Sequence, residues 1–539
     1  MNTIAIMKAR IHDNRWYALA LAVCLFFLTA CENLEQMNQN PNSPSSVPSH
    51  MLMNGAEKWV LDAVTDVYVS GRAYILYPQY WAQRFYTDES RYQFRQDQIS
   101  TLFDNLYRGI YNLEKVVRLN TEPASAAVNA AYGANCNQIA AATILKVWAM
   151  SLITDTWGDV PYTDAAKLDE GLYYTRYDTQ KDIYAGMLAE LKEAVAMIDE
   201  SRPAFVSGSD MIYDGDATKW KRFGNSLRCR LAVHLSKVDP AWKDYIREAV
   251  ADGVFQSLDD AALFHYAASG TDYCKFYESF FVRGRNDFTI SRQLADLMTG
   301  TPDTLNGKTH PWPGITDPRL RIYAHVKDGV CKGMAYGVSS DDVMAAVTGT
   351  PDWSANPPFF LAKDFAFPIM TYAELQFILC EANGYSVEEY RKGVQSSIRF
   401  WAIQSMTDIT TEEAFAYIDA VSERVDAETL AVQKYIDLYL NGAEAWTEIR
   451  RTGYPEQLVR PGEVSTEAEE AEGRQALFVP FHDTKGFIAR RHRYPSSEST
   501  LNNAYWQEAV GRLQDGTNNL YSPMYWDVRT SAYDHPANR

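Results

Sequence analysis

The chain has 539 residues, of which 46% are hydrophobic and 13% aromatic, and its formal net charge is −18 at pH 7. This charge would repel the phosphates of nucleic acids and gains nothing from an anionic membrane surface, so neither is an expected partner. The length would allow about three or four ordinary domains. Because no second linker-like segment follows residue 49, we expect one large domain over residues 50–539.

The first 30 residues have the organisation of a bacterial signal peptide. Three basic residues precede the apolar run Trp16–Leu28, which is too short for a membrane span of roughly 20 residues. The run ends in a lipobox pattern, Leu-Thr-Ala-Cys, in which the cysteine is acylated and becomes the new N-terminus. We therefore predict a signal peptide over residues 1–30 and a lipid on Cys31, with an ordinary secretory signal as the alternative.

Residues 31–49 have the composition of a flexible tether. They are polar and rich in Asn, Pro and Ser, so they cannot bury enough apolar surface to fold alone. We expect the lipid on Cys31 to be the only contact of this chain with the membrane.

Helical periodicity dominates the chain after residue 50. In residues 136–157, apolar side chains recur at helical spacing, and Ala140, Ala141 and Ala142 leave one side thin enough for a neighbouring helix to approach closely. Gly158 permits a positive φ and Pro161 lacks an N–H group, so this helix has to end in a turn. Further helical stripes lie in residues 52–63, 103–117, 183–198, 220–235, 375–382 and 430–451.

Helix N-caps and one strand can also be located. Ser100, Thr179 and Thr371 are the predicted caps, and the last two have an acidic residue three positions later. Strand-like alternation is sparse, and residues 477–479 are the short strand that we predict. The fold class is therefore mainly α. The predicted helices follow one another in pairs that have faces of small residues, which favours tetratricopeptide-like stacking. We expect a loop-rich, irregular region beside the stacked helices. No strict 34-residue repeat is present in the sequence.

Five cysteines remain after residue 31, and an odd number cannot all pair. Pairing of Cys274 with Cys331 stays open at this point. None of the five has the close spacing of a zinc or redox site.

We find no motif for catalysis. HExxH, a P-loop, GxSxG and a Rossmann glycine pattern are all missing from the sequence. A glycosidase needs only two carboxylates at roughly 5–10 Å, which 69 acidic residues cannot exclude. We expect no cofactor and no metal; calcium in an acidic loop stays open, but no loop indicates it.

Aromatic residues outside the periodic stripes are the candidate ligand contacts. Exposed rings can stack on sugar faces while Asn, Asp and Arg bind hydroxyl groups, and the same residues also suit peptides. The alternative is that these rings only pin their own loops. The candidates are Trp81, Tyr86, Arg91 and Tyr92 in a first cluster, Tyr277, Arg285 and Asn286 in a second, and Trp312, Tyr336 and Trp353 in a proline-rich third region.

Six segments together resemble one known family. They are NPNSP at residues 40–44, DTWGDVPYTDA at 155–165, WKRFGNSLRCRLA at 220–232, PIMTYAE at 368–374, NGAEAWTEIRRTGYP at 441–455 and RRHRYP at 490–495. Their order and spacing are similar to those of the SusD/RagB-like outer-membrane lipoproteins. Glu32 and Glu35 also resemble the acidic tags that direct such lipoproteins to the cell surface.

The resemblance implies a lipid-anchored, surface-exposed protein of a Bacteroidota-type outer membrane. Members of this family capture an oligomeric nutrient and close as a lid over a SusC-like, TonB-dependent transporter, without cleaving the nutrient. A glycan is the first expectation for the ligand and a peptide the second. A surface glycoside hydrolase and a purely structural lid are the alternatives from other classes.

The landmark residues of this resemblance also have a structural interpretation. We expect the landmark arginines to form buried or bridging ion pairs, and Tyr372 and Trp446 to be core aromatics with one polar contact. The arginines are Arg228, Arg230, Arg450 and Arg451.

Overall fold

The computed structural model describes residues 47–93, 95–285, 287–326, 330–343, 358–469 and 474–539. The predicted signal peptide, the lipid on Cys31, nearly all of the tether, and the candidate contacts Asn286 and Trp353 lie outside the described residues. Residues Ser49–Arg539 form one compact unit.

Helices make up most of this unit, as the periodicity predicts. The longer ones are α1 (Ser49–Thr65), α2 (Gln96–Thr121), α3 (Pro123–Asn129), α4 (Asn135–Trp157), α5 (Gln180–Ala196), α6 (Ala217–His234), α7 (Trp242–Asp252), α8 (Arg292–Thr299), α9 (Tyr372–Ala382), α10 (Val387–Ser405), α11 (Thr411–Val421), α12 (Ala427–Asp437), α13 (Gly442–Thr452) and α14 (Asn503–Arg512). Short helical turns cover Gly71–Tyr74, Lys275–Tyr277, Leu320–Tyr323 and Glu498–Leu501. The mainly α prediction is confirmed.

Successive helices pack on one another: α1 on α2, α2 on α4, α4 on α5, α5 on α6 and α6 on α7, with α9 on α10 and α12 on α13 further along. Small residues allow this close approach. A Cβ atom on Gly109 would lie 2.4 Å from Val60 of α1, and one on Gly224 would lie 2.5 Å from Val195 of α5. The alanine face of α4 is fully buried, as predicted.

Strands are few and short among the described residues, where they form three two-stranded antiparallel sheets. The pairs are β1 (Trp81–Gln83) with β3 (Phe288–Ile290), β2 (Ala262–His265) with β4 (Ala366–Met370), and β5 (Val464–Glu469) with β6 (Arg474–Leu477). The strand predicted at 477–479 is wrong in its bounds, because β6 ends at Leu477.

Most predicted helix ends agree with the structure. Helix α4 ends at Trp157, and Gly158 follows with a φ of 90°. Thr179 and Thr371 accept hydrogen bonds from the backbone N–H groups three residues later. Ser100 is not a cap, because α2 begins a turn earlier at Gln96.

The stripe predicted over 430–451 is two helices rather than one. Helix α12 ends at Asp437, and Leu440 adopts a φ of 70° before α13 begins. This left-handed residue changes the direction of the chain between the two helices.

Helix α4 is long and apolar enough to cross a membrane by length and composition. However, 78% of its apolar window is buried inside the protein, as is usual for a core helix. The five described cysteines form no disulfide, so Cys274 and Cys331 are not paired with each other.

Candidate functional site

The short β1–β3 sheet brings the first two aromatic clusters together. Trp81 pairs with Ile290 and Gln83 with Phe288, and the N–H of Arg84 donates to the carbonyl of Asp287 at 2.7 Å. The residues that leave β1 therefore lie beside those that enter β3, although about 200 residues separate them in sequence. The sequence predicted both clusters but not that they meet.

The segment after β1 is held in an unusual backbone conformation. Tyr86 has a φ of 55° and Tyr92 a φ of 65°, a left-handed region that bulky residues rarely adopt. The side chain of Gln83 holds this segment in place. Its Nε2 donates to Glu89 at 2.8 Å, and its Oε1 accepts from the N–H of Ser90 at 2.9 Å. A left-handed backbone costs about 1–3 kcal/mol at such a residue, so this conformation persists only where the surrounding structure imposes it.

Tyr86 presents its ring to solvent, with 64% of the residue exposed. The guanidinium of Arg285 lies 5.6 Å from the centre of the Tyr86 ring and 5.5 Å from that of Tyr68. Asp287 fixes this guanidinium with a hydrogen bond of 2.6 Å. We name Tyr68, Tyr86 and Arg285 the Tyr86 platform.

Further charged groups lie around Tyr68. The guanidinium of Arg72 lies 5.3 Å from the centre of the Tyr68 ring and also forms an ion pair with the buried Glu89. Burial and the nearby charge of Arg95 lower the pKa of Arg72 to about 10, so it remains a cation at neutral pH. Two guanidinium groups near the Tyr68 ring, one of them also near the Tyr86 ring, give this region aromatic rings and fixed positive charge side by side.

Two other predicted contacts lie near the same strands. Tyr277 packs against Phe281, and their ring centres are 5.3 Å apart. Phe281 is 60% exposed. Arg91 donates from Nε to the carbonyl of Val479 at 3.0 Å and lies 4.4 Å from the centre of the Phe481 ring. Both residues border accessible surface.

Four predicted contacts are buried, which corrects the expectation that their rings are exposed. Trp81, Tyr92 and Tyr336 have no accessible surface, and Trp312 is 8% exposed. The indole N–H of Trp81 donates to the Tyr439 hydroxyl at 3.0 Å. These rings present no free face to a ligand, so they fit the alternative interpretation, in which loops are pinned by their own aromatics.

Sequence reasoning missed Tyr68, Phe281 and Phe481. Tyr68 follows α1 and reads as the end of a helical stripe, and no local signal connects it with Arg285. Phe281 and Phe481 gave no signal beyond being aromatic, because their exposure depends on packing between distant segments.

His234, Glu444 and Glu448 have ligand atoms within 4.8 Å of one another and so resemble a metal site. Cations of the protein already lie beside the two carboxylates. Arg451 donates to Glu448 at 2.8 Å, and the Lys434 ammonium lies 3.3 Å from the same side chain. Burial alone would raise the pKa of Glu444, but the charges of His234 and Arg230 lower it below its ordinary value. We assign this group to a structural ion network.

The landmark arginines follow the predicted roles with one exception. Arg228, Arg230 and Arg451 form ion pairs with Asp252, Glu374 and Glu381 respectively. The prediction that Arg450 forms an ion pair is wrong. Its guanidinium instead lies 3.6 Å from the centre of the Trp446 ring and donates to backbone carbonyls. Trp446 is a core aromatic whose N–H donates to a backbone carbonyl at 2.7 Å, as predicted.

The comparisons with known proteins agree on one family. The model of the SusD-like family, described as starch-binding and associating with the outer membrane, matches residues 41–477. Among curated proteins, none matches this chain.

Solved structures have the same fold. A SusD homologue from Parabacteroides distasonis is 21% identical, with a TM-score of 0.72 over 90% of this chain and 99% of that chain. A chitin-binding protein is 25% identical, with a TM-score of 0.69 over 88% and 100%. A chitin-binding SusD homologue from Flavobacterium johnsoniae is 22% identical, with a TM-score of 0.67 over 89% and 99%.

The family match covers most of the chain and includes the landmark segments around α6, α9 and α13. Proteins of this family bind nutrients at the cell surface. The chain therefore belongs to the SusD-like family of outer-membrane-associated nutrient-binding proteins.

Proposed function

We propose that this chain captures a glycan on the Tyr86 platform and delivers it to a SusC-like, TonB-dependent transporter, without cleaving it. The observation that carries the proposal is the Tyr86 ring, which is 64% exposed while its backbone is held at a φ of 55°. A strained, exposed aromatic contributes little to folding, so its position points to binding.

The platform has the chemistry that a sugar ring requires. The ring of Tyr86 offers an apolar face to pyranose C–H groups, and Arg285 supplies donors beside it. Because Arg285 is held by Asp287 before any ligand arrives, little side-chain entropy is lost on binding. Removing one such ring should cost about 1–2 kcal/mol, or roughly five- to thirty-fold in Kd.

The relatives suggest which glycans to test first. Two structural neighbours are described as chitin-binding, and the family description names starch. We therefore place chito-oligosaccharides and malto-oligosaccharides at the head of the panel, with short peptides as the competing class.

Calorimetry on the chain without residues 1–31 tests the proposal, since this form keeps the whole unit Ser49–Arg539. Tyr86→Asn removes the ring but tolerates the left-handed backbone, and Arg285→Ala removes the donor. Phe415→Ala is the matched control, because Phe415 is 44% exposed on the separate helix α11.

We expect saturable heat with a glycan, with an affinity that each platform variant weakens about five- to thirty-fold and that the control leaves unchanged. Binding of peptides alone would favour peptide capture instead. Cleaved products would overturn the non-catalytic proposal, and heat that is unchanged in both variants would overturn the site.

The anchor and the transporter are tested separately. We expect Cys31→Ala to move the protein from the membrane fraction to the soluble fraction. We also expect the native chain to co-purify from outer membranes with a TonB-dependent β-barrel. A chain that purifies alone after mild extraction would contradict the lid role.

A further inference from the structure

A second aromatic groove lies outside the Tyr86 platform and shares no residue with it. Its volume is about 590 Å³, and it runs between α1, α2, the segment 161–175 and the helical turn Glu498–Leu501. Rings line its length, and amide and carboxylate groups lie among them. The rings are those of Trp59, Phe103, Tyr107, Tyr111 and Tyr173.

Hydrogen bonds hold the walls of this groove in place. The hydroxyl of Tyr107 donates to the carbonyl of Pro161 at 2.7 Å, and that of Tyr111 donates to Asp169 at 2.7 Å. Arg118 forms an ion pair with the same aspartate at 3.0 Å. Segment 161–175 is therefore fixed to α2 before any ligand binds, which limits the ordering cost of binding.

The far wall is tied to the same segment. The hydroxyl of Tyr177 donates to Glu498 at 2.6 Å, and the side-chain Nδ2 of Asn502 donates to the carbonyl of Thr175 at 2.9 Å. These bonds connect the segment after α4 with a helical turn more than 320 residues later. The groove is thus a product of the tertiary fold.

Two rings of the groove are strongly exposed. Trp59 is 42% exposed and Tyr173 is 73% exposed. The guanidinium of Arg108 lies 5.7 Å from the centre of the Trp59 ring, which orients the indole. Exposed Trp and Tyr in a concave, water-accessible surface are the usual elements of a binding site.

Asn502 also lines the groove and brings an amide group into its wall. The residue is 8% exposed, and its Oδ1 is buried with no hydrogen-bond donor among the described residues. The bond from Nδ2 to the carbonyl of Thr175 fixes which amide atom is the oxygen, because the flipped amide would bring two oxygens together. A buried acceptor of this kind costs about 1–3 kcal/mol unless a donor satisfies it.

We infer that this groove is a second binding site, for a neutral oligosaccharide. The exposed rings match the apolar faces of sugar rings, and the carboxylate and amide groups among them can accept hydrogen bonds from sugar hydroxyls. Asp104 and Glu498 add further acceptors, whereas Arg108 is the cation that lines the groove within the described residues. This excess of acceptors matches a ligand rich in hydroxyl donors and disfavours an acidic one.

The inference goes beyond the proposed function, because it does not require the Tyr86 platform to bind anything. A glycan long enough to reach both sites would be held at two points, which raises its apparent affinity without a new contact at either site. The ligand in both cases is an oligosaccharide free in solution. Variants that remove one site at a time therefore allow the affinity of each site to be measured separately.

Calorimetry with chitohexaose and maltohexaose tests it on the chain without residues 1–31. The platform is first removed with the double variant Tyr86→Asn/Arg285→Ala. In that background we expect residual saturable binding, which Trp59→Ala and Tyr173→Ala each weaken about tenfold and Phe415→Ala leaves unchanged. Because Trp59 and Tyr173 are exposed, both variants should unfold at the temperature of the parent protein.

The outcomes separate the two proposals. Binding that is lost in the platform variant, with a stoichiometry of one in the parent, would overturn the second site and leave the proposed function intact. Binding that depends on Trp59 and Tyr173 alone would support the groove and overturn the platform. Binding of peptides but of neither sugar in the groove would overturn the assigned ligand class, and no binding at all would overturn both sites.

Discussion

The buried pair of Arg230 and Glu374 gives the sharpest prediction for stability. The Nε and Nη2 atoms of Arg230 each donate to a Glu374 oxygen at 2.6 Å, and Nη2 also donates to the carbonyl of Ile369 at 2.8 Å. Their side chains are 2% and 1% exposed. Replacing Arg230 by Met therefore leaves a carboxylate buried without its cation.

The expected loss follows from this geometry. Breaking one partner of a buried ion pair costs about 3–5 kcal/mol, because the remaining charge is neither solvated nor neutralised. Unfolding entropy is about 2.1 cal/mol/K per residue, so a unit of about 490 residues loses roughly 1 °C of Tm per kcal/mol. We expect Arg230→Met to lower the Tm by about 3–5 °C.

A second substitution separates the lost charge from lost packing. In Arg230→Met/Glu374→Leu both charges are gone, and hydrophobic replacement of a buried pair is often neutral or stabilising. We expect this double variant to recover most of the loss seen in the single variant.

Differential scanning calorimetry measures these shifts. The matched control is Arg247→Met, since Arg247 is 75% exposed and its ion pair with Asp244 contributes at most about 1 kcal/mol. The reasoning is refuted if Arg230→Met melts at the temperature of the control. It is also refuted if the double variant is less stable than the single one.

Two further predictions concern backbone packing and pH. A Cβ atom on Gly442 would lie 1.3 Å from the carbonyl oxygen of Tyr74, so Gly442→Ala should cost more than about 3 kcal/mol. Gly511 has no atom within 4 Å of that position, so Gly511→Ala should gain about 0.5–1 kcal/mol in urea unfolding; equal effects of the two would contradict this. Burial and the neighbouring Asp210 raise the pKa of Glu57 well above its ordinary value. Above the unfolded-state pKa of about 4.3 the unfolded chain then holds fewer protons than the folded one, so stability falls as pH rises. We expect Glu57→Gln to gain stability relative to the parent between about pH 5 and 8, and a difference that is constant across this range would exclude the effect.

The helical part of the fold could be predicted because its signals are local. The stripe of α4, the glycine that ends it, and the caps Thr179 and Thr371 all depend on residues within one or two turns of each other. The errors at Ser100 and at the break between α12 and α13 are also local. Helix α2 extends one turn before Ser100, to Gln96, and the left-handed Leu440 separates α12 from α13.

The candidate site was predicted less well, because exposure is not a local property. Trp81 and Tyr86 are five residues apart and both aromatic, yet one is fully buried and the other 64% exposed. Pairing of β1 with β3 decides this, since it directs Trp81 toward Phe276 and Phe288 and leaves Tyr86 beyond the end of the strand. The strand partner lies about 200 residues away, so no sequence window contains the information.

The sequence by itself determined the mainly α class, most helix positions, and the order of landmark segments that identifies the family. Only the tertiary structure decided which aromatics are accessible, joined Tyr86 to Arg285, and built the groove between Trp59 and Tyr173. The physical reason is the range of the interactions. Helix formation is governed by neighbours three or four residues apart, whereas a binding surface is made of side chains that distant segments leave uncovered.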